Sequence, residues 1–168
     1  MPDALTQTER LILLNQYRIL SILDPNEKDA YEESISVLQN GYEKHYERLH
    51  PGLNTSIVTA EQSSFVHQSL SMFDRLENAI DDGKFLLSDG LKSKIRFVGF
   101  SENYEPEYYS YANFVIHLQK SFQRYKDLPL NSHVPMKDQY ASVLSRWNQL
   151  PQSDRDNLTS EIIERLLK

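Results

Sequence analysis

The sequence contains no cysteine, and this absence alone excludes several kinds of cross-link and functional site. A chain of 168 residues without thiols has no disulfide, no thiolate zinc site and no cysteine nucleophile. Glycine is also scarce, with five residues, while hydrophobic residues make up 39% of the chain. This composition is typical of a globular protein and argues against disorder. The length favours one domain, over residues 1–168, with a single core.

Long apolar runs and clusters of positive charge are missing too. The formal net charge is -6, and no stretch is rich in lysine and arginine, which disfavours direct binding of nucleic acid. The strongest apolar run begins at Leu11 and is interrupted at Asn15, Gln16 and Arg18. It is too short to cross roughly 30 Å of hydrocarbon, and the signature of a signal peptide is lacking. We therefore expect a cytoplasmic protein that contacts no membrane.

No familiar motif for catalysis or cofactor binding is present. The sequence has no Gly-x-Ser-x-Gly elbow, phosphate-binding glycine loop or His-Glu-x-x-His pair. His45 and His50 are five residues apart and would diverge on a helix, so we predict no metal site and no cofactor. Glu102, Glu105 and Glu107 offer carboxylates for acid/base chemistry. Their simpler interpretation is an exposed helix start, where negative charge favours the helix dipole.

Apolar residues recur at steps of three or four along most of the chain, which predicts helices. The predicted fold is all-α, a single multihelical domain of about six or seven helices with a short irregular or strand-like segment near residues 95–100. Capping boxes at Thr6–Glu9 and Thr59–Gln62 mark two helix starts. Gly41 is either tolerated inside a helix or ends it, and we favour the break.

Two further helix boundaries follow from proline and capping residues. Pro106 opens a helix whose apolar positions continue to about Tyr125. Ser153 and Asp156 have the spacing of a capping box at the start of the last helix.

The first helix is apolar on nearly every side. Its residues Leu11 to Leu23 read LILLNQYRILSIL, a pattern usually found in buried helices. Gln16 then points at the core, beside Asn15. Each of these polar side chains either bonds a neighbouring backbone group, as most buried polar groups do, or contacts a ligand.

Aromatic residues concentrate between residues 97 and 111. Tyr104, Tyr108, Tyr109 and Tyr111 closely follow a segment that contains two phenylalanines. Tyrosine suits both a small-molecule pocket and a protein interface, although filling the core is the simpler interpretation. The candidate ligand- or partner-binding residues are Asn15, Gln16, Tyr17, Arg96, Phe97, Phe100, Tyr108, Tyr111 and Trp147.

Three stretches together resemble the YfbU-like family of uncharacterised bacterial proteins. They are Arg10–Tyr17 with its continuation to Pro25, Arg96–Phe100, and Met136–Trp147. The resemblance implies one all-α domain in a bacterial cytoplasm, with no established activity and no catalytic residues to transfer. Members joined to a helix-turn-helix segment suggest, by association, that the domain senses a ligand or partner; we expect no such segment here.

Two functional hypotheses remain open. The first is a non-enzymatic ligand- or protein-binding regulatory domain that forms a homo-oligomer and in which residues 96–100 meet the tyrosines and the first helix. The second is a small hydrolase or isomerase that uses carboxylates and histidines. Convergent titratable groups with shifted pKa in a pocket would favour the enzyme. An open apolar patch of more than a few hundred Å² would favour the interaction module.

Overall fold

The computed structural model describes residues 5–49, 56–82 and 89–167. The predicted all-α class is confirmed, because the described ranges contain helices and turns and no sheet. Their one backbone bridge of β type joins Phe100 to Asn131, which fits the strand-like segment expected near residues 95–100. No helix in the described ranges is both long and apolar enough to cross a bilayer. The chain divides into two compact units, Met1–Thr55 and Ser56–Lys168.

The N-terminal unit is built from two helices and a short 3-10 segment. Helix α1 spans Gln7–Leu23 and α2 spans Lys28–Asn40, and the 3-10 helix Glu43–Leu49 follows. The predicted capping box is confirmed: the Glu9 amide donates to Thr6 Oγ1 at 3.2 Å, and the Thr6 amide donates to Glu9 Oε2 at 2.8 Å. The core of this unit consists of Val37, Leu38, Tyr46 and Leu49, with Leu5, Leu13, Leu14 and Tyr17 packed against them.

The predicted break at Gly41 is confirmed, since α2 ends at Asn40 and Gly41 takes the left-handed conformation with φ +69°. Such a residue commonly ends a helix. The last carbonyls of α2 are bound by a side chain of α1. Arg10 donates Nε and Nη2 to the Leu38 carbonyl oxygen at 2.9 and 2.6 Å, and Nη2 also donates to Gln39 at 3.0 Å. This clamp satisfies acceptors that a helix end leaves open.

The C-terminal unit is organised around the long helix α3, whose predicted capping box at Thr59 is also confirmed. Buried residues of α3, including Val66, Leu70 and Phe73, belong to one continuous core shared with the later helices. The helices of this unit are α3 (Ala60–Asp81), α4 (Asp89–Lys94), α5 (Pro106–Asn113), α6 (Lys137–Gln149), α7 (Gln152–Asp156) and α8 (Ser160–Leu167), with a π-helix at Phe114–Leu118 and a 3-10 helix at Gln123–Tyr125.

The helix predicted to run from Pro106 to about Tyr125 is wrong in its second half. After the π-helix the backbone turns sharply, with φ +56° at Lys120 and +50° at Phe122. Gln123 Nε2 donates to the Ile116 carbonyl oxygen at 2.9 Å and so satisfies an acceptor near the break. The turn brings Tyr125 into the core, where it is fully buried, so tertiary packing overrides the helical period.

The predicted start of the last helix at Ser153 is also wrong. Residues 152–156 form the separate short helix α7, and α8 begins at Ser160. The side chain next to this start is Thr159, whose hydroxyl accepts from the Ile162 amide at 3.3 Å.

The prediction that the first helix is buried is wrong as well. No residue of α1 is buried, and both Asn15 and Gln16 are exposed. Within the N-terminal unit α1 packs against the core on one side only, through Leu13, Leu14 and Tyr17. A helix with a second, uncovered apolar face has the same residue pattern as a helix that is buried all round.

Candidate functional site

The uncovered side of α1 carries a continuous row of aliphatic residues. At 100° per residue, the row lies opposite the packed side formed by Leu13, Leu14 and Tyr17. Its large apolar side chains are exposed to between 53% and 78%. We call this surface the α1 outer face; it consists of Leu11, Ile12, Asn15, Ile19, Ile22 and Leu23.

The α1 outer face is large for an apolar surface left in water. At roughly 120 Å² for each of its five aliphatic residues, it reaches about 600 Å², the upper end of what a typical monomer exposes. None of its residues is charged, and Arg18 is the one charged residue between Leu11 and Leu23. Covering this face therefore desolvates no ion within it.

The three candidate residues on α1 point in different directions. Asn15 lies in the α1 outer face, and Gln16 is exposed at its margin. Tyr17 lies on the packed side, where its hydroxyl donates to the Leu49 carbonyl oxygen at 2.5 Å. Gln16 is therefore not the buried polar group that the sequence pattern indicated, whereas Tyr17 holds the 3-10 helix against α1.

In the C-terminal unit, the segment of residues 95–100 places the side chains of Ile95, Phe97 and Phe100 in the core. The Phe100 amide donates to the Leu130 carbonyl oxygen at 3.0 Å, and the Ser132 amide donates to the Phe100 carbonyl oxygen at 3.2 Å. Gly99 has φ +86°, and a Cβ atom there would lie 1.8 Å from the Leu130 oxygen. Only glycine allows the two backbones to come this close.

Phe97 and Phe100 lie inside an aromatic cluster of the core. The Phe97 ring is 5.7 Å from Phe100, 5.2 Å from Tyr125 and 5.5 Å from Tyr140. The Tyr140 hydroxyl accepts from the Val98 amide at 3.0 Å and donates to the Gly99 carbonyl oxygen at 3.1 Å. Tyr108 extends the cluster at 5.6 Å from Phe100. These side chains fill the core and bind its buried backbone groups.

The other aromatic candidates of this unit have different neighbours. Tyr111 is half-buried, with its ring 5.9 Å from His67. Trp147 is buried beneath the Arg75 guanidinium, which lies 5.7 Å from the ring centre and forms an ion pair with Asp156 at 2.5 Å. The candidate residues of this unit thus spread over several places, and binding by any of them stays a prediction.

A polar network that sequence reasoning missed lies at one end of the aromatic cluster. Glu77 Oε1 accepts from the Phe97 amide at 2.9 Å and from the Tyr125 hydroxyl at 3.1 Å. Arg124 lies beside it, with Nη1 at 2.6 Å from Asp81 and Nε at 3.4 Å from Asp74. One signal was available: Glu77 continues the apolar line Val66, Leu70, Phe73 and Ile80 at the helical step.

The network shifts the pKa values of its members. Burial raises the pKa of the Glu77 carboxyl, against the lowering effect of its hydrogen bonds and of Arg124 and Arg96. Burial and the adjacent Glu77 carboxylate raise the pKa of the Tyr125 hydroxyl, so this tyrosine remains protonated. Burial thus disfavours the charged form of the Glu77 carboxyl, and its hydrogen-bond donors and the nearby arginines offset part of that effect.

Of the three glutamates singled out in the sequence, Glu105 has a structural role. Its side chain is buried and accepts from the Met136 amide at 2.9 Å, the Lys137 amide at 2.7 Å and the Ser101 amide at 3.1 Å. The carboxylate thus caps the start of α6, where a negative charge is favourable. The interpretation of an exposed helix start is wrong for this residue.

Histidine and carboxylate side chains do not converge on a metal-ion geometry in the described ranges, where no group of three or more such residues is placed to hold one. His45 belongs to the 3-10 helix Glu43–Leu49, and His50 lies outside the described residues.

Comparison with known proteins places the chain in a family. The family model of the YfbU domain matches residues 3–168 of the sequence. A UPF0304 protein of Methanocaldococcus jannaschii is 31% identical over 166 residues, covering 95% of this chain and 97% of the relative. UPF0304 proteins of Actinobacillus succinogenes and Pasteurella multocida are each 26% identical over 152 residues, covering 88% of this chain and 89% of the relative. The chain belongs to the YfbU family of uncharacterised proteins.

Proposed function

We propose that this protein is a non-enzymatic, cytoplasmic interaction module that binds a second copy of itself through the α1 outer face and acts as a regulatory partner in that form. The observation that carries the proposal is the exposure of five aliphatic side chains on one side of a single helix. Apolar patches at this end of the monomer range are often functional, and larger ones mark sites of association.

A second copy fits the face for reasons of area and charge. A standard interface buries about 800 Å² on each partner, so the face of about 600 Å² supplies most of what a symmetric dimer needs. Its lack of charge lets two copies meet without bringing like charges together. Ile12 and Ile19 are seven residues apart, as in a helix-pairing seam, and Asn15 lies between them. An asparagine at such a place fixes the register of two helices.

The competing hypothesis of a hydrolase or isomerase has less support. Glu77 does have a raised pKa, but its Oε1 already accepts two hydrogen bonds and its Oε2 lies 3.7 Å from Arg124 Nη1. Glu105 is held by three backbone amides. Glu105 serves the fold, and Glu77, although it lines a cavity, already faces the Phe97 amide, the Tyr125 hydroxyl and Arg124.

The proposal is tested by the molar mass of the full chain in solution. Sedimentation equilibrium over about 1–100 μM, a range that spans weak to moderate dimers, should show twice the chain mass of 19.7 kDa. Ile19→Glu places a charge in the centre of the face and should return the protein to the monomer mass. At a concentration where the wild type is monomeric, the variant should be as stable as the wild type, because Ile19 is already exposed; at higher concentration it should lack the stability that the dimer adds.

Ile57→Glu is the matched control, since Ile57 is an equally apolar residue, 83% exposed, in the C-terminal unit. This variant should keep the dimer mass. A wild-type chain that stays monomeric throughout the concentration range contradicts the proposal. Loss of stability in Ile19→Glu at unchanged mass contradicts it too, because the face would then serve folding and not association.

A further inference from the structure

A cavity of about 540 Å³ opens beside the Glu77 network in the C-terminal unit. Its wall combines three cationic side chains, Lys92, Arg96 and Arg124, with two carboxylates, Glu77 and Asp81. Ile80, Phe97 and Leu128 supply an apolar part of the lining. The volume lies in the range of small-molecule sites.

The acidic part of the wall is already engaged with protein donors. Glu77 is held by the Phe97 amide, the Tyr125 hydroxyl and Arg124, and Asp81 forms an ion pair with Arg124 at 2.6 Å. Arg124 in turn donates to Asp81 and Asn78 and lies within ion-pair distance of Asp74. The nitrogens of Arg124 are thus engaged by Asp81, Asn78 and Asp74, and this arginine has few donors left for a ligand.

Arg96 is different. Its side chain is exposed at the cavity, and its charge acts on the Glu77 carboxyl, but it makes no hydrogen bond or close ion pair with any residue in the described ranges. A guanidinium group carries five N–H donors in a fixed plane and binds carboxylate or phosphate through two of them. The donors still available in this cavity are consequently those of Arg96, and they carry positive charge.

We infer that the cavity binds a small organic anion, with its carboxylate or phosphate group on Arg96 and its apolar body against Ile80, Phe97 and Leu128. Lys92 adds positive charge at the same wall. Carboxylate and phosphate share the chemistry that Arg96 recognises, and the experiment separates them. This site belongs to the C-terminal unit and does not depend on self-association through α1.

The test is calorimetric titration of the full chain with hexanoate, with monohexyl phosphate and with hexanol. The two anions should bind, and hexanol, which has the same apolar body without the charge, should bind at least about tenfold more weakly. The tighter of the two anions identifies the headgroup. Arg96→Gln should weaken anion binding by about tenfold or more, because it removes a charge-assisted pair of hydrogen bonds.

Lys94→Gln is the matched control, since Lys94 is an exposed cation two residues away that does not line the cavity. This variant should bind the anions as the wild type does. The inference is overturned if neither anion binds, if hexanol binds as tightly as hexanoate, or if Arg96→Gln and Lys94→Gln lower the affinity equally. Thermal unfolding of both variants verifies that each is folded.

Discussion

A single carboxyl, that of Glu77, joins three segments of the C-terminal unit and makes their stability depend on pH. Because burial raises the pKa of Glu77 above its ordinary value of 4.5, the folded chain holds this proton more tightly than the unfolded chain. Its contribution to stability is therefore fully present below about pH 4.5 and is lost as the pH rises through the raised value. Glu77→Gln keeps an oxygen acceptor and removes the titration.

Urea unfolding of the wild type and of Glu77→Gln between about pH 4 and pH 7 tests this expectation. As the pH rises, the free energy of unfolding of the wild type should fall relative to that of Glu77→Gln. Glu47→Gln, which removes one exposed carboxylate of the N-terminal unit, controls for the change in net charge. The prediction is contradicted if the difference in free energy of unfolding between wild type and Glu77→Gln is the same at every pH, or if the wild type becomes relatively more stable as the pH rises.

Hydrogen bonds between residues close together in the sequence were predictable, and those between residues far apart in the sequence were not. The capping boxes at Thr6 and Thr59 involve side chains three residues apart, so the sequence shows both partners together. Glu105 binds amides about 31 residues away, and Glu77 binds an amide 20 residues away. For Glu105 nothing in the local pattern distinguishes a buried carboxylate from one in water; for Glu77 the apolar line of α3 indicates burial but not the partners, which are set by the tertiary fold.

At the scale of elements, the segment at residues 95–100 depends on one glycine. Gly99→Ala would place a methyl group against the Leu130 carbonyl oxygen and strain the backbone at φ +86°. We expect a loss of at least about 2 kcal/mol in the free energy of unfolding, measured by urea denaturation. In the control Gly90→Ala, the new methyl group meets no atom within 4 Å, so this helical position should be neutral or slightly stabilised. Equal effects of the two changes would refute the argument.

Helix α1 shows the limit of periodicity as a guide to burial. The start and end of α1 follow from its cap and from proline, and the end of α2 follows from Gly41. All of these are local signals. Whether an apolar face is covered depends on how many neighbours the helix has. The same limit explains the failure beyond Leu118, where the apolar positions continue at helical steps although the chain turns to bury Tyr125.

At the scale of the whole molecule, the two units differ in how much core each contains. The described core of the N-terminal unit has four buried side chains, whereas that of the C-terminal unit draws on α3, α5, α6 and α8 and on residues 95–100. Small units with little buried surface are marginal on their own, and short helices without tertiary packing are unstable in water. The single-domain interpretation of residues 1–168 therefore becomes an experimental question.

We expect a fragment of residues 56–168 to fold alone, with helical circular dichroism and a cooperative thermal transition. A fragment of residues 1–55 should be largely unfolded in isolation. Independent folding of residues 1–55, or failure of residues 56–168 to show a cooperative transition, would contradict this prediction. The full chain measured under the same conditions provides the reference for helical content.

Under the proposed self-association, the composition of the α1 outer face also determines which relatives could pair with this chain. Charge patterns commonly sort one helix partner from another, and this face has none. Selectivity then depends on the shape of the aliphatic row and on the single amide of Asn15. In a cell that makes two YfbU proteins, mixed pairs would form as readily as matched ones wherever both share the aliphatic row and the asparagine. The proportions of the mixed and matched pairs would then follow the expression ratio of the two proteins.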